Sequence, residues 1–224
     1  MAEESRNTRF DLVVALFMAL AAVGTAWAGF ESAKWSGVQA NSYASAGADR
    51  AEASRAATLA GQQRGIDVVS FTAWLNALNA EIVADPSVRP KGNYKPNQQA
   101  VSGFLFERFR PEFRPAVNAW LATHPLINAD APATPFDMPQ YRLAAQRRSE
   151  RLVDSAGKLA AKARSANQRS DNYVLTAVAL ATVLFFSGMA SKANGRRLQL
   201  FFTILAGTVL IGCIVTLALF PIQI

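Results

Sequence analysis

The sequence predicts an all-α membrane protein: three transmembrane helices, the first two continuing into a long antiparallel helical stem capped by a small helical crown. Three observations predict it. Three apolar runs carry no charge in their interiors. Nine of the ten prolines fall between Pro86 and Pro139, so two long stretches are free of helix breakers. The short segments beside the apolar runs are basic. With 51% hydrophobic residues and a formal charge of +7, the chain has the composition of spans plus one ordinary domain.

Residues 1–11 form a short cytoplasmic N-terminus containing Arg6 and Arg9. Residues 12–30 are the first span. At 1.5 Å per residue, about 19 residues cross a hydrocarbon core of roughly 30 Å. Ala26-Trp27-Ala28 before Gly29 has the small-x-small form of a signal-peptidase site. Apolarity continues past it, and Glu3, Glu4 and Asp11 dilute the basic start, so an uncleaved anchor is expected.

Residues 31–65 form the first stem helix, rich in Ala and Ser, with Gly61 and Gly65 bracketing an expected break. Residues 66–139 form the crown. There Ile66, Val69, Phe71, Trp74, Leu75, Leu78 and Ile82 predict a short helix bending back along the stem. Further helices are expected at 98–110 and 115–123, with Phe104, Leu105, Phe109, Phe113 and Trp120 as core, and Pro111 can open a helical turn. Loops at 86–96 and 131–139 are rich in proline.

Residues 140–172 form the returning stem helix. Leu152, Leu159, Ala166 and Tyr173 recur every seven residues, with Ala156, Ala163 and Ser170 four further on. That is a heptad-like, coiled-coil seam with small occupants. A stem with so few large apolar groups buries little area, which predicts a homo-oligomer. Residues 173–190 are the second span, 191–197 a basic cytoplasmic hairpin, 198–220 the third span and 221–224 a C-terminal tail. Arg6, Arg9, Lys192, Arg196 and Arg197 all fall on the cytoplasmic side in this arrangement, and the large domain faces outward.

Candidate functional residues are few. Glu31 and Lys34, beside Trp35, sit where the first span leaves the membrane. They read either as a charge ring at a gate or as an interfacial ion pair with a Trp anchor, and the second is the plainer reading. Thr208, Gly212 and Thr216 make a small-xxx-small face suited to helix packing in lipid, as do Ala21, Thr25 and Gly29. Arg108, Arg110 and Arg114 with Glu107 and Glu112 form a dense charged cluster, an anion site or, more plainly, a self-neutralising rim. Cys213 and the loop residue His124 are too far apart in sequence to suggest a metal centre.

The sequence holds no nucleophile elbow, glycine-rich phosphate loop or paired metal-ligand spacing, which argues against an enzyme and calls for no metal or cofactor. No basic run interleaves with aromatics, so nucleic acid is not an expected partner. The lipid bilayer is; no small-molecule ligand can be assigned. The function expected is a non-enzymatic, homo-oligomeric integral membrane protein with an extracytoplasmic helical interaction, scaffold or sensor domain. The alternative is an oligomeric ion channel with the stem as vestibule, which needs a water path lined by Thr176, Ser187, Thr203 or Thr208. A third reading, an envelope enzyme, needs a cleft of perturbed carboxylates in the crown.

Three segments carry a resemblance: Ser32-Ala33-Lys34-Trp35-Ser36-Gly37-Val38-Gln39-Ala40, Ala166-Asn167-Gln168-Arg169-Ser170-Asp171-Asn172-Tyr173 and Thr134-Pro135-Phe136-Asp137-Met138-Pro139. In these and in its order of elements the chain resembles an uncharacterised family of three-span bacterial inner-membrane proteins with a helical extramembrane domain. The resemblance implies a bacterial inner-membrane location, and it implies no activity or site residues.

Overall fold

A computed structural model describes residues 2–91 and 94–223, with side chains from residue 9 onward. The side chains of Glu3, Glu4 and Arg6, and Ile224, lie outside the described set. Helices dominate, and no strand occurs among the described residues. The order is α1 (Ala2–Ala84), a 3-10 turn (Pro86–Val88), α2 (Val101–Glu107), α3 (Arg114–Leu121), a second 3-10 turn (Pro135–Asp137), α4 (Ala144–Lys192) and α5 (Arg196–Leu219). Three of these helices (α1, α4 and α5) are long and apolar enough to cross a membrane.

The chain divides into two compact units: Met1–Ala46 with Gly157–Ile224, and Gly47–Ala156. In the first unit the buried side chains are mostly small. Val14, Ala21, Ala28 and Trp35 line α1 at intervals of seven, the spacing that keeps one face of a helix against a partner. Their counterparts on α4 include Ala166, Tyr173, Leu180 and Val183, and on α5 Ala206, Leu210 and Cys213. Packing is close. A Cβ on Gly24 would meet Leu180 at 3.0 Å, and one on Gly207 would meet the Phe17 ring at 3.1 Å. The turn from α4 to α5 passes through Gly195 at φ 116°, a conformation that side chains disfavour.

The second unit has a different core. Phe71, Trp74 and Leu78 of α1 meet Phe106, Phe109, Phe113 and Trp120, with Phe136 and Tyr141 at the margin. Phe113 stacks on Phe136 at 5.1 Å, while Phe71 meets Trp120 edge-on at 5.4 Å. Both geometries suit the ring quadrupoles. α1 ends because Pro86 forces Asp85 into an extended conformation. The Asp85 side chain then accepts from the Ser87 N–H at 2.9 Å and starts the 3-10 turn.

Three expectations are corrected. α1 does not break at Gly61 and Gly65, and the segment from Ile66 to Ile82 is its direct continuation, with no bend back. Two glycines cost a helix only about 1 kcal/mol each against alanine, and the first proline after them is Pro86. Phe104 is exposed, capped by the Arg108 guanidinium 3.3 Å from its ring centre. As expected, Pro111 opens a hydrogen-bonded turn, with Phe113 N and Arg114 N donating to the Arg110 carbonyl at 3.0 and 3.1 Å, and Pro115 is the early proline of α3 itself.

Candidate functional site

Glu31 and Lys34 are not an ion pair. Three residues along a helix turn through about 300°, and here the difference separates inside from outside. Glu31 is fully buried, whereas Lys34 is exposed beside a groove lined by Phe30, Gly37, Asn41 and Gln223. Glu31 faces the C-terminal tail instead: its Oε2 accepts from the Gln223 N–H at 2.9 Å. Its Oε1 is buried with no protein partner.

The tail is held at a second point by two side chains. The Pro221 carbonyl accepts from Trp35 Nε1 and from the Tyr173 hydroxyl, each at 3.2 Å. Phe220 lies edge-on to Tyr173 at 5.1 Å, and the Arg169 guanidinium covers the outer face of Trp35 at 4.4 Å. One layer further, Ser170 Oγ sits 2.9 Å from both Ser32 Oγ and Ser36 Oγ. Glu31, Ser32, Trp35, Ser170 and Tyr173 thus form one polar layer that closes over residues 220–223. Apart from the unpartnered Glu31 Oε1, its hydrogen bonds run to the chain itself, which makes it a fastening.

Thr208 and Gly212 are exposed on α5 and Thr216 is half-buried. The side of α5 that packs within the chain is Ala206, Leu210 and Cys213. Thr208 and Thr216 return their hydroxyls to the carbonyls of Ile204 and Gly212, four residues back. Thr25, Thr176 and Thr203 do the same on their own helices.

In the second unit the charged cluster is consumed internally. Arg110 bonds Asp67 at 2.9 Å and Glu112 at 2.6 Å. Arg114 donates to the Glu107 carbonyl at 2.7 Å and Arg108 to the Phe104 carbonyl at 3.2 Å. Arg108 and Arg114 are exposed, each with one guanidinium nitrogen on a backbone carbonyl. Asp67 was not legible beforehand. It is fully buried on α1 and accepts from Arg110 and from the Tyr141 hydroxyl at 3.1 Å. Its partners lie 43 and 74 residues away, so no local pattern announces it. Burial raises the Asp67 carboxyl above its usual value against the pull of Arg110. Burial and the facing Asp67 push the Tyr141 hydroxyl up to about 12. This is a perturbed carboxylate in the crown, but it is sealed between helices and lines no cleft.

Glu81 has a role that the sequence hid. Ala100 gives α2 no side-chain cap, and the Glu81 carboxylate supplies one by accepting from Ser102 N at 2.9 Å and Ser102 Oγ at 2.6 Å. A carboxylate there also suits the positive end of the helix dipole. Among the described residues no three His, Cys, Asp or Glu side chains gather as metal ligands. His124 sits in a left-handed turn at φ 57°.

No protein-family model matches the chain, and neither a curated protein nor a solved structure matches it significantly. The resemblance in layout therefore brings no family with it.

Proposed function

We propose that the chain is a non-enzymatic, homo-oligomeric protein of the bacterial inner membrane whose periplasmic helical domain serves interaction, scaffolding or sensing. Residues 1–11 and 191–197 face the cytoplasm and residues 31–172 the periplasm. The observation that carries the membrane reading is where the large apolar side chains point. Leu12, Val23, Leu175, Phe185, Ile204 and Ile211 each leave more than half of their surface uncovered. Such faces need lipid or another helix.

An antiparallel stem is supported within each unit. Gly24 lies beside Leu180 and Ser32 beside Ser170; Glu52 pairs with Arg148, while Ala60 packs with Leu143 and Ala145. In both, numbers rise along α1 as they fall along α4. The interaction reading rests on the fate of the buried carboxylates: Glu31 holds the C-terminal tail in the first unit, and Asp67 holds Arg110 and Tyr141 in the second. The channel reading is weaker for the same reason. The threonines it would need bond back to their own helices, as satisfied hydroxyls inside lipid do.

The test is labelling of single cysteines in a Cys213→Ala chain, in bacterial cells with a permeabilised outer membrane. A membrane-impermeant maleimide is expected to label Asn128→Cys and to miss Asn194→Cys until the inner membrane is opened. The reverse pattern would overturn the orientation. Release of the chain by alkaline carbonate would overturn the membrane reading, and a nanodisc mass of one 24.1 kDa copy would overturn the oligomer.

A further inference from the structure

The outer face of α1 in the second unit is built unlike a water-facing helix. Leu59, Gln62, Ile66, Val69 and Ala73 follow one another at steps of three and four, the spacing of a coiled-coil seam. Leu59, Ile66 and Val69 are 48%, 57% and 70% exposed. Gly65 and Ala73 leave hollows between them, and with Leu105 as a side wall the surface forms an open groove of 790 Å³.

At about 100° per residue, this stripe lies roughly a third of a turn from the face that buries Ala60, Asp67 and Trp74. It is thus a second seam, separate from the one the chain fills itself. From Gly65 to Ala80, more than four turns of helix, the only charged residue is Asp67, and it is buried. Arg64, just before, points to the far side of the helix, about 200° from Ile66.

We propose that this stripe is where two copies of the chain meet, α1 against α1, about a twofold axis along the membrane normal. The inference rests on the homo-oligomeric membrane reading above and names its contact surface. Three features select a second copy over an unrelated partner. The stripe carries knobs (Leu59, Ile66, Val69) and a hole at Ala73 in one row, with a second hole at Gly65 beside Val69, so it is complementary to itself, as a twofold contact requires. Being uncharged, it repels nothing when laid on its own image and offers no charge by which another protein would be selected.

The third feature is the apolar start of α1. Copies anchored by it in one membrane share one orientation, so residues of equal number lie at equal height and the two stripes come into register without sliding. A four-turn stripe falls short of the ~800 Å² per partner of a standard interface. Confinement to one membrane compensates, because it raises the effective concentration of one copy near another.

The experiment uses the full chain with Cys213→Ala, since Cys213 is its single cysteine. Ile66→Cys and Val69→Cys are each oxidised in native membranes, beside Val153→Cys, an exposed position (59%) on α4. A disulfide-linked dimer from Ile66 or Val69 but not from Val153 is expected. Val69→Asp in nanodiscs is expected to weaken dimerisation at least tenfold, because a carboxylate would enter an apolar contact, with the near-ultraviolet dichroism of Trp74 and Trp120 retained. An oligomer whose mass survives Val69→Asp, with no crosslink at 66 or 69, overturns this surface and leaves the oligomeric reading standing. A wild-type monomer overturns both. A crosslink from Val69→Cys to a different protein overturns the choice of partner.

Discussion

Asp67 is a carboxylate buried with only half a counter-charge. Arg110 serves both Asp67 and Glu112, and Tyr141 contributes a neutral hydroxyl. With its carboxyl raised by burial, the folded unit holds a proton at Asp67 more tightly than the unfolded chain does. The resulting stability is fully present below the unfolded value near 3.8, and it is lost as pH rises through the raised folded value. Wild type and Asp67→Asn, melted side by side under near-ultraviolet dichroism, are therefore expected to diverge with pH: wild type loses stability relative to the variant as pH climbs above 3.8 through the raised folded value. Parallel curves would mean that Asp67 stays ionised throughout. Arg110→Met removes the partner and strands the charge, a change that costs about 3–5 kcal/mol in buried pairs. That cost is expected at neutral pH and should shrink in acid, where Asp67 can discharge itself.

The helices were legible in outline because proline and heptad spacing are local signals. The proline-free stretches led directly to α1 and α4, and the seven-residue recurrence of Ala166 and Tyr173 marked a face that is indeed buried. Where α1 ends was less legible. Gly61 and Gly65 resembled a break because glycine is a weak helix former, yet a cost of about 1 kcal/mol each does not stop a helix whose next turns carry Phe71, Trp74 and Leu78 into an aromatic core. The fastening of Glu31 and the cap that Glu81 lends to α2 were illegible for another reason. Each joins elements distant in sequence: Gln223 is 192 residues from Glu31, and Ser102 is 21 from Glu81. Two glycines turn this contrast into a test. A Cβ on Gly61 would meet nothing within 4 Å, so Gly61→Ala should stabilise the second unit by about 0.5–1 kcal/mol through helix propensity alone. A Cβ on Gly103 would collide with the Asn97 carbonyl oxygen, so Gly103→Ala should destabilise by about 1–3 kcal/mol, the range for overpacking. Denaturant midpoints of the two variants should move in opposite directions. If both rise, the turn before α2 yields more easily than its contacts imply.

At the scale of the whole molecule, one helix runs through two units that are stabilised by different physics. The first unit packs small side chains closely and turns its large apolar groups outward, so its surroundings supply much of what keeps it folded. The second has an aromatic core of its own, drawn from residues as far apart as Phe71 and Tyr141. Urea weakens burial in water and acts far less on helices already inside a detergent micelle, where the backbone has no better partner than itself. The four tryptophans are divided evenly, with Trp27 and Trp35 in the first unit and Trp74 and Trp120 in the second. A chain carrying Trp27→Phe and Trp35→Phe reports the second unit by fluorescence, and one carrying Trp74→Phe and Trp120→Phe reports the first. In mild detergent, urea is expected to shift the emission of Trp74 and Trp120 in one cooperative step while that of Trp27 and Trp35 stays put. Exchanging the mild detergent for a denaturing one should then move the second pair. Coincident transitions in urea would mean that α1 transmits unfolding along its length and that the chain melts as one body. Separate transitions would mean that the second unit can loosen and re-form while the first holds, as the proposed interaction or sensing role requires.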